Sequence, residues 1–213
     1  MDFLSSRGII IKNKDLLNTA LTHSSYANEN NCESYERLEF LGDAVLQLTS
    51  SEFFYLHGHQ NEGDMSKVRA SYVCENALYE YSKSIGLIPY IRTGHGVSSD
   101  TVSIVADCFE SVLAVIFLEH GFSVAKKYAL DIIRPYIENN VIFIHDNKSY
   151  LQEMVQMEKK TLEYVVVGEE GPAHDKKFTV DVIVDGIKFG TGSGKSKKEA
   201  EQNAALDAIK KIA

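Results

Sequence analysis

Two carboxylates stand on one face of a predicted apolar helix. The stretch ERLEFLGDAVLQL, residues 36–48, has leucine and valine at steps of three and four residues, which is the period of a helix. Glu39 and Asp43 are its only charged side chains after Arg37, and their spacing puts them on one face. On a helix with this much apolar surface we expect both carboxylates to be partly removed from water, which disfavours their charged form.

A second stretch repeats this pattern. In SIVADCFESVLAVIFL, residues 103–118, the only charges are Asp107 and Glu110, three residues apart on another apolar helix. If the two helices pack together, four like charges meet, and either protonation or a divalent cation must relieve their repulsion. Mg²⁺ prefers oxygen ligands of this kind. Each pair could instead lie at a solvated edge or meet a distant arginine, but two matched pairs favour a metal site.

Both stretches resemble segments of the ribonuclease III family. ERLEFLGDAVL is similar to the signature segment of that family, and ADCFESVLAVIFLEHG is similar to its second acidic helix. The resemblance implies an endonuclease that cleaves double-stranded RNA with a divalent metal. It also implies that Asp43 and Glu110 are catalytic. The metal-binding set implied by position is Glu39, Asp43, Asp107 and Glu110.

Neighbouring positions add to the resemblance and also depart from it. Glu36, which opens the signature, and Glu62, in NEGDMSKVRA, correspond to supporting acids near the site of the family. Tyr35 stands where the family commonly has Asn, and since tyrosine also forms hydrogen bonds we expect activity to be kept. The loop RTGHGVSSDT, residues 92–101, carries Asp100 where related proteins often have basic residues. This loop is therefore a weak candidate for binding phosphate.

Composition limits the function classes. The chain has 213 residues, of which 44% are hydrophobic and 24% charged, a usual balance for a globular protein of one or two domains. No apolar run approaches the length of a membrane span, and the first residues lack the apolar region and cleavage site of a signal peptide. Three widely separated cysteines match no metal or redox spacing. They predict reduced thiols in a cytoplasmic protein.

The charge is distributed unevenly along the chain. The net charge of −8 argues against indiscriminate binding of nucleic acid. Residues 1–145 hold 11 basic and 18 acidic side chains, whereas residues 146–213 hold 11 lysines and 12 acids. The acidity therefore belongs mostly to the first part. RNA would need local basic patches and bound metal to approach that part.

The hydrophobic period changes partway along the chain, which predicts two domains and an α+β fold. Residues 10–138 have helical periodicity without strand alternation, and we assign residues 1–142 to an all-helical endonuclease domain. Residues 149–213 have the pattern helix, three strands, helix, with Asp185-Gly186 as a hairpin turn. This second part resembles a double-stranded-RNA-binding domain, and its closest segments are GPAHDKKF and GTGSGKSKKEAEQNAA.

A lysine cluster surrounds the start of the last predicted helix. Ser196 and Glu199 have the spacing of a capping box, and Lys195, Lys197 and Lys198 lie around it. Cations at a helix N-terminus oppose the helix dipole, so this placement suits a phosphate that comes from outside. The alternative is a solvated lysine run that only aids solubility.

The resemblance of the second part also implies how it contacts RNA. Its first helix and first loop would face the minor grooves of A-form RNA, and the lysine cluster would contact the phosphates between them. The groove-facing set is Gln152, Glu153 and His174.

We therefore expect hydrolysis of phosphodiester bonds in double-stranded RNA with Mg²⁺, or with Mn²⁺ as a substitute. The resemblance implies 5′-phosphate and 3′-hydroxyl products, a role in processing rRNA and mRNA precursors and in RNA decay, and a homodimer through the helical domain. Phe40 is a candidate for that interface, although core packing is the commoner role of such a residue. Two alternatives stay open, a binding protein that no longer cuts and a metal phosphohydrolase of small nucleotides. The four acids argue against the first and the RNA-binding part against the second.

Overall fold

The chain forms two compact units in a computed structural model, Met1–Phe143 and Ile144–Ala213. The residues described are 1–58, 61–141, 143, 147–157, 159–172 and 176–212, without the side chains of residues 2, 153, 157 and 212.

The first unit is helical. A short 3₁₀ turn, Ile88–Tyr90, separates its sixth and seventh helices, and an isolated bridge joins Thr22 to Arg92. Its helices are α1 (Asp2–Ser5), α2 (Lys14–Ala20), α3 (Ser24–Asn30), α4 (Glu36–His57), α5 (Glu62–Tyr72), α6 (Glu75–Ile85), α7 (Val102–His120) and α8 (Phe122–Glu138).

Helix α7 is the centre of this unit. The side chains of α7 are apolar on almost every side, and such a helix is stable only when other helices enclose it. Every residue from Ser111 to Ile116 is buried. Helix α4 packs closely along α7, and Gly42 lies at the contact, where its lack of a side chain permits the close approach. The two acid-bearing helices are therefore direct neighbours.

The second unit packs two helices on a three-stranded antiparallel sheet of order β1-β2-β3. Asp185 and Gly186 both have positive φ, 49° and 79°, as the tight turn between β2 and β3 requires. Buried alanines of the last helix lie against glycines of β3, where a Cβ on Gly192 would come within 2.0 Å of Ala204 N. The elements are α9 (Asn147–Met157), β1 (Leu162–Glu170), β2 (Lys177–Val184), β3 (Ile187–Gly194) and α10 (Lys197–Ile212).

The predicted α+β class is confirmed, with a helical first part and the order helix, three strands, helix in the second. The observed ends of the helices and strands depart more from the prediction than the fold class does. The first acidic helix continues past Leu48, where the predicted stretch ends, to His57. Among the described residues no helix has the length and apolar character needed to cross a membrane.

Candidate metal centre and RNA-binding surface

Three carboxylates from α4 and α7 come together beside the helix contact. Glu39, Asp107 and Glu110 each offer one oxygen, and these three oxygens lie within 4.8 Å of one another. All three side chains are partly buried. One small cation between them would be within reach of all three.

Burial and mutual repulsion disfavour the charged forms of this triad. Burial is the largest cause of the raised pKa of Glu39 and of Asp107. The pKa of Glu110 rises to about 8, first through burial and then through the negative charges of Asp43 and Asp107. Throughout the described ranges, no lysine or arginine forms an ion pair with these three acids. Crowded carboxylate oxygens that, within the described residues, form no ion pair with lysine or arginine fit a hard divalent cation.

Asp43 lies outside the triad. It is exposed, and the side-chain amide of Gln47 donates a 3.2 Å hydrogen bond to its Oδ1. Its charge nevertheless acts on the site, because it raises the pKa of both Glu39 and Glu110. Of the four acids predicted to share a metal, three lie together and the fourth lies within electrostatic range.

Tyr35 contacts the triad through its hydroxyl, which donates a 2.8 Å hydrogen bond to Asp107 Oδ2. Burial and the neighbouring carboxylate raise the pKa of this tyrosine, so the phenol keeps its proton. In return the hydrogen bond lowers the pKa of Asp107, against the effect of burial. From the sequence this position was only a departure from the family pattern. The available signal was a hydroxyl-bearing side chain directly before the first acidic helix.

The two supporting acids occupy different surroundings. Glu36 is exposed in the first turn of α4, and its charge raises the pKa of Glu39. Glu62 begins α5 and lines a hollow of about 220 Å³. The other residues that line this hollow are Ser51, Phe54, Tyr55, Met65, Ser66 and Arg69.

Glu75 is a further acid near the site that the sequence reasoning missed. It begins α6, and its charge contributes to the raised pKa of both Asp107 and Glu110. Nothing in the sequence pattern singles it out, because an acid in the first turn is common in ordinary helices.

The lysine cluster is exposed at the start of α10. Ser196 Oγ accepts a 3.1 Å hydrogen bond from the Glu199 amide, and Glu199 Oε2 accepts a 2.8 Å bond from the Lys195 amide. The predicted cap is therefore present, although the glutamate reaches one residue further back than a capping box requires. Lys197 Nζ lies 5.8 Å from the ring centroid of Phe178, and Lys198 is also exposed.

Of the three residues predicted to face the RNA minor grooves, the structure describes one in full. Gln152 is exposed on α9 and lines a hollow of about 360 Å³ together with Lys148, Ser149 and Tyr164. Glu153 belongs to the same helix, but its side chain lies outside the described residues, and so does all of His174.

Comparison with known families identifies both parts of the chain. Residues 13–137 match the family model described as Ribonuclease-III-like. The chain belongs to the ribonuclease III family. Residues 148–212 match the double-stranded RNA binding motif. A ribonuclease III domain joined to this motif makes the chain a double-stranded-RNA endoribonuclease by class, as the resemblance implied.

Similar proteins support this assignment over almost the whole chain. Ribonuclease 3 of Clostridium acetobutylicum is 46% identical over 217 residues, which cover 97% of this chain and 94% of that protein. Ribonuclease 3 of Onion yellows phytoplasma is 44% identical over 207 residues, covering 95% and 87%. A solved nuclease domain of ribonuclease III from Campylobacter jejuni is 36% identical, with a TM-score of 0.57, and covers 63% of this chain and 95% of its own.

Proposed function

We propose that the chain hydrolyses phosphodiester bonds of double-stranded RNA with Mg²⁺ held by Glu39, Asp107 and Glu110, and with Asp43 beside them. The supporting observation is the triad itself, with three oxygens within 4.8 Å. Mn²⁺, which also binds carboxylate oxygen, is the expected substitute. The helical endonuclease domain spans residues 1–142.

The four acids would have different roles because their surroundings differ. When bound, a divalent cation lowers the pKa of a water molecule and neutralises charge on the phosphate. Glu39 and Asp107 would hold the cation. Glu110, whose pKa is raised to about 8 by burial and neighbouring carboxylates, would give up its proton to solvent if it were to hold a cation. Asp43 and Glu110 are the proposed catalytic residues, and Asp43, which is exposed, would orient a water molecule from the solvent side.

The second domain, residues 149–213, holds the RNA. Lys195, Lys197 and Lys198 are exposed around one helix N-terminus, where phosphate oxygens are bound favourably. Gln152 is exposed on the helix that would face a minor groove. We propose Glu153 and His174 for the same contact from the family resemblance alone. Such contacts recognise A-form shape instead of sequence.

We propose a homodimer through α4. Several large apolar side chains are exposed on this helix, among them Phe40, Leu48 and Tyr55, which are 82%, 57% and 74% open to solvent. They recur after eight and seven residues, close to two helical turns, so they share one side of α4. A twofold axis near Leu48 would place Phe40 against Tyr55 of the partner subunit. The solved Campylobacter jejuni nuclease domain is likewise described as having a flexible region involved in dimer formation.

In the cell we propose a cytoplasmic role in processing rRNA and mRNA precursors and in RNA decay. Cys32, Cys74 and Cys108 are all free thiols, as expected in a reducing compartment.

A cleavage assay on perfect double-stranded RNA tests the proposal. The wild type is compared with Glu110→Gln, which removes a ligand charge, and with Glu138→Gln, an exposed acid on α8, as the control. We expect Mg²⁺-dependent cleavage by the wild type and the control, and loss of turnover with retained RNA binding in Glu110→Gln. Equal activity of all three would refute the site. RNA binding in EDTA without cleavage on adding Mg²⁺ would favour a binding protein, and hydrolysis of nucleotides alone would favour the phosphohydrolase.

A further inference from the structure

Tyr35 connects the two helices that carry the acids. Its hydroxyl donates to Asp107 Oδ2 at 2.8 Å, and only 3% of the residue is exposed. Its carbonyl accepts the amides of Leu38 and Glu39 at 2.8 and 2.9 Å, and the Ser111 hydroxyl at 3.4 Å. One residue thus directly precedes the helix of Glu39, contacts the Asp107 carboxylate, and accepts a hydrogen bond from Ser111, the residue next to Glu110.

We propose that Tyr35 is a positioning residue that holds the Asp107 carboxylate ready for the cation, an inference that rests on the function proposed above. A carboxylate whose second oxygen is hydrogen-bonded turns less freely, so less freedom is lost when the first oxygen binds metal. Such partners of metal ligands commonly determine ligand orientation and basicity.

The hydroxyl can position Asp107 because the rest of Tyr35 is itself held in place. The Tyr35 amide donates to the carbonyl of Thr22 at 2.9 Å, and the ring lies 5.8 Å from that of His23, centroid to centroid. The phenol therefore extends from an anchored backbone through a buried ring to the carboxylate. Phenylalanine would preserve each of these contacts except the hydrogen bond to Asp107.

The test compares Tyr35→Phe with Tyr81→Phe. Tyr81 is a matched control, because it is fully buried in the same domain and its hydroxyl donates to the Tyr72 carbonyl at 3.1 Å, not to a site acid. Mg²⁺ affinity is measured by calorimetry without RNA, and cleavage is measured as a function of Mg²⁺. We expect Tyr35→Phe to bind Mg²⁺ about 10- to 100-fold more weakly, with cleavage restored at high Mg²⁺. RNA affinity in EDTA and the control variant stay at wild-type values.

Equal Mg²⁺ affinity of the wild type and Tyr35→Phe would overturn the positioning role and leave the proposed function intact. A wild type that neither binds Mg²⁺ nor cleaves would instead refute the proposed function. If Tyr35→Phe does not fold, the unaltered protein with ¹³Cζ-labelled tyrosine supplies the answer by NMR. One of its 11 tyrosine signals should then move as Mg²⁺ saturates the site. If no signal moves, the inference is wrong.

Discussion

Gly42 of α4 lies directly against the backbone carbonyl of Glu110 on α7. A Cβ on Gly42 would stand 1.9 Å from the carbonyl oxygen of Glu110 and 2.4 Å from its carbonyl carbon, far closer than atoms can approach. Glu110 also supplies one oxygen of the acid triad. The contact that packs the two helices is therefore the contact that brings Glu39 to the acids of the neighbouring helix.

Gly42→Ala should destabilise the helical domain and separate the triad. The added methyl group must push α4 and α7 apart, and overpacking of this kind costs about 1–3 kcal/mol of unfolding free energy, sometimes more. The measurements are urea unfolding and Mg²⁺ affinity. Gly63→Ala is the control, because its Cβ would come no closer than 3.4 Å to any neighbour, the Asn61 Oδ1. Wild-type stability and Mg²⁺ affinity of Gly42→Ala would contradict this role of the glycine.

Sequence periodicity was sufficient for the fold class. The three- and four-residue spacing in residues 36–48 and 103–118 predicted two apolar helices, and the Asp185-Gly186 pair predicted the hairpin, because these signals depend on neighbours along the chain. The length of α4 was underestimated. Its last turns carry exposed apolar residues such as Tyr55 and Leu56, which do not follow the spacing of a core-facing helix.

The geometry of the site could not be predicted from the sequence. Spacing along one helix shows which side chains share a face, but distances between helices depend on which turns meet, and that is decided at Gly42. The sequence grouped all four acids, but it could not show that Glu39, Asp107 and Glu110 bring their oxygens within 4.8 Å while Asp43 acts on the site through its charge. It also gave no indication of the hydrogen bond from Tyr35 to Asp107, which joins residues 72 positions apart.

The metal-free protein should lose stability as the pH rises. The pKa of Glu110 is about 8 in the folded chain, against an ordinary value of 4.5. The folded state thus binds more protons than the unfolded state between these values. This contribution is complete below about pH 4.5 and is lost as the pH rises through about 8. One such group changes the unfolding free energy by at most about 1.4 kcal/mol per pH unit.

Urea unfolding in EDTA at several pH values measures this effect. Glu110→Gln is neutral at every pH and should remove most of the slope, so the difference between the two proteins isolates Glu110 from other titrating groups. Saturating Mg²⁺ should restore the stability of the wild type at high pH and leave the variant largely unchanged. Parallel pH profiles for the two metal-free proteins would show that Glu110 titrates normally.

Phe40→Asp should convert the dimer to monomers. A charge buried in a packed apolar interface is unpaired and desolvated, and loss of an aromatic anchor there costs about 2 kcal/mol or more, which raises the dimer Kd about 30-fold. Sedimentation equilibrium measures this change. Ile10→Asp is the control, because Ile10 is 70% exposed but lies outside α4. A monomeric wild type, or equal dissociation constants for wild type and Phe40→Asp, would remove α4 as the interface.

Replacing lysines at the start of α10 should weaken binding to all double-stranded RNA sequences alike. Each lysine that contacts a phosphate releases about one counterion, so Lys195→Ala, Lys197→Ala or Lys198→Ala should each reduce the slope of log affinity against log salt by about 1. Fluorescence anisotropy in EDTA measures binding without cleavage. Lys210→Ala, at the opposite end of the same helix, is the matched control. If all four variants keep the wild-type slope, the cluster serves solubility alone, because a phosphate contact cannot be lost without changing the salt dependence.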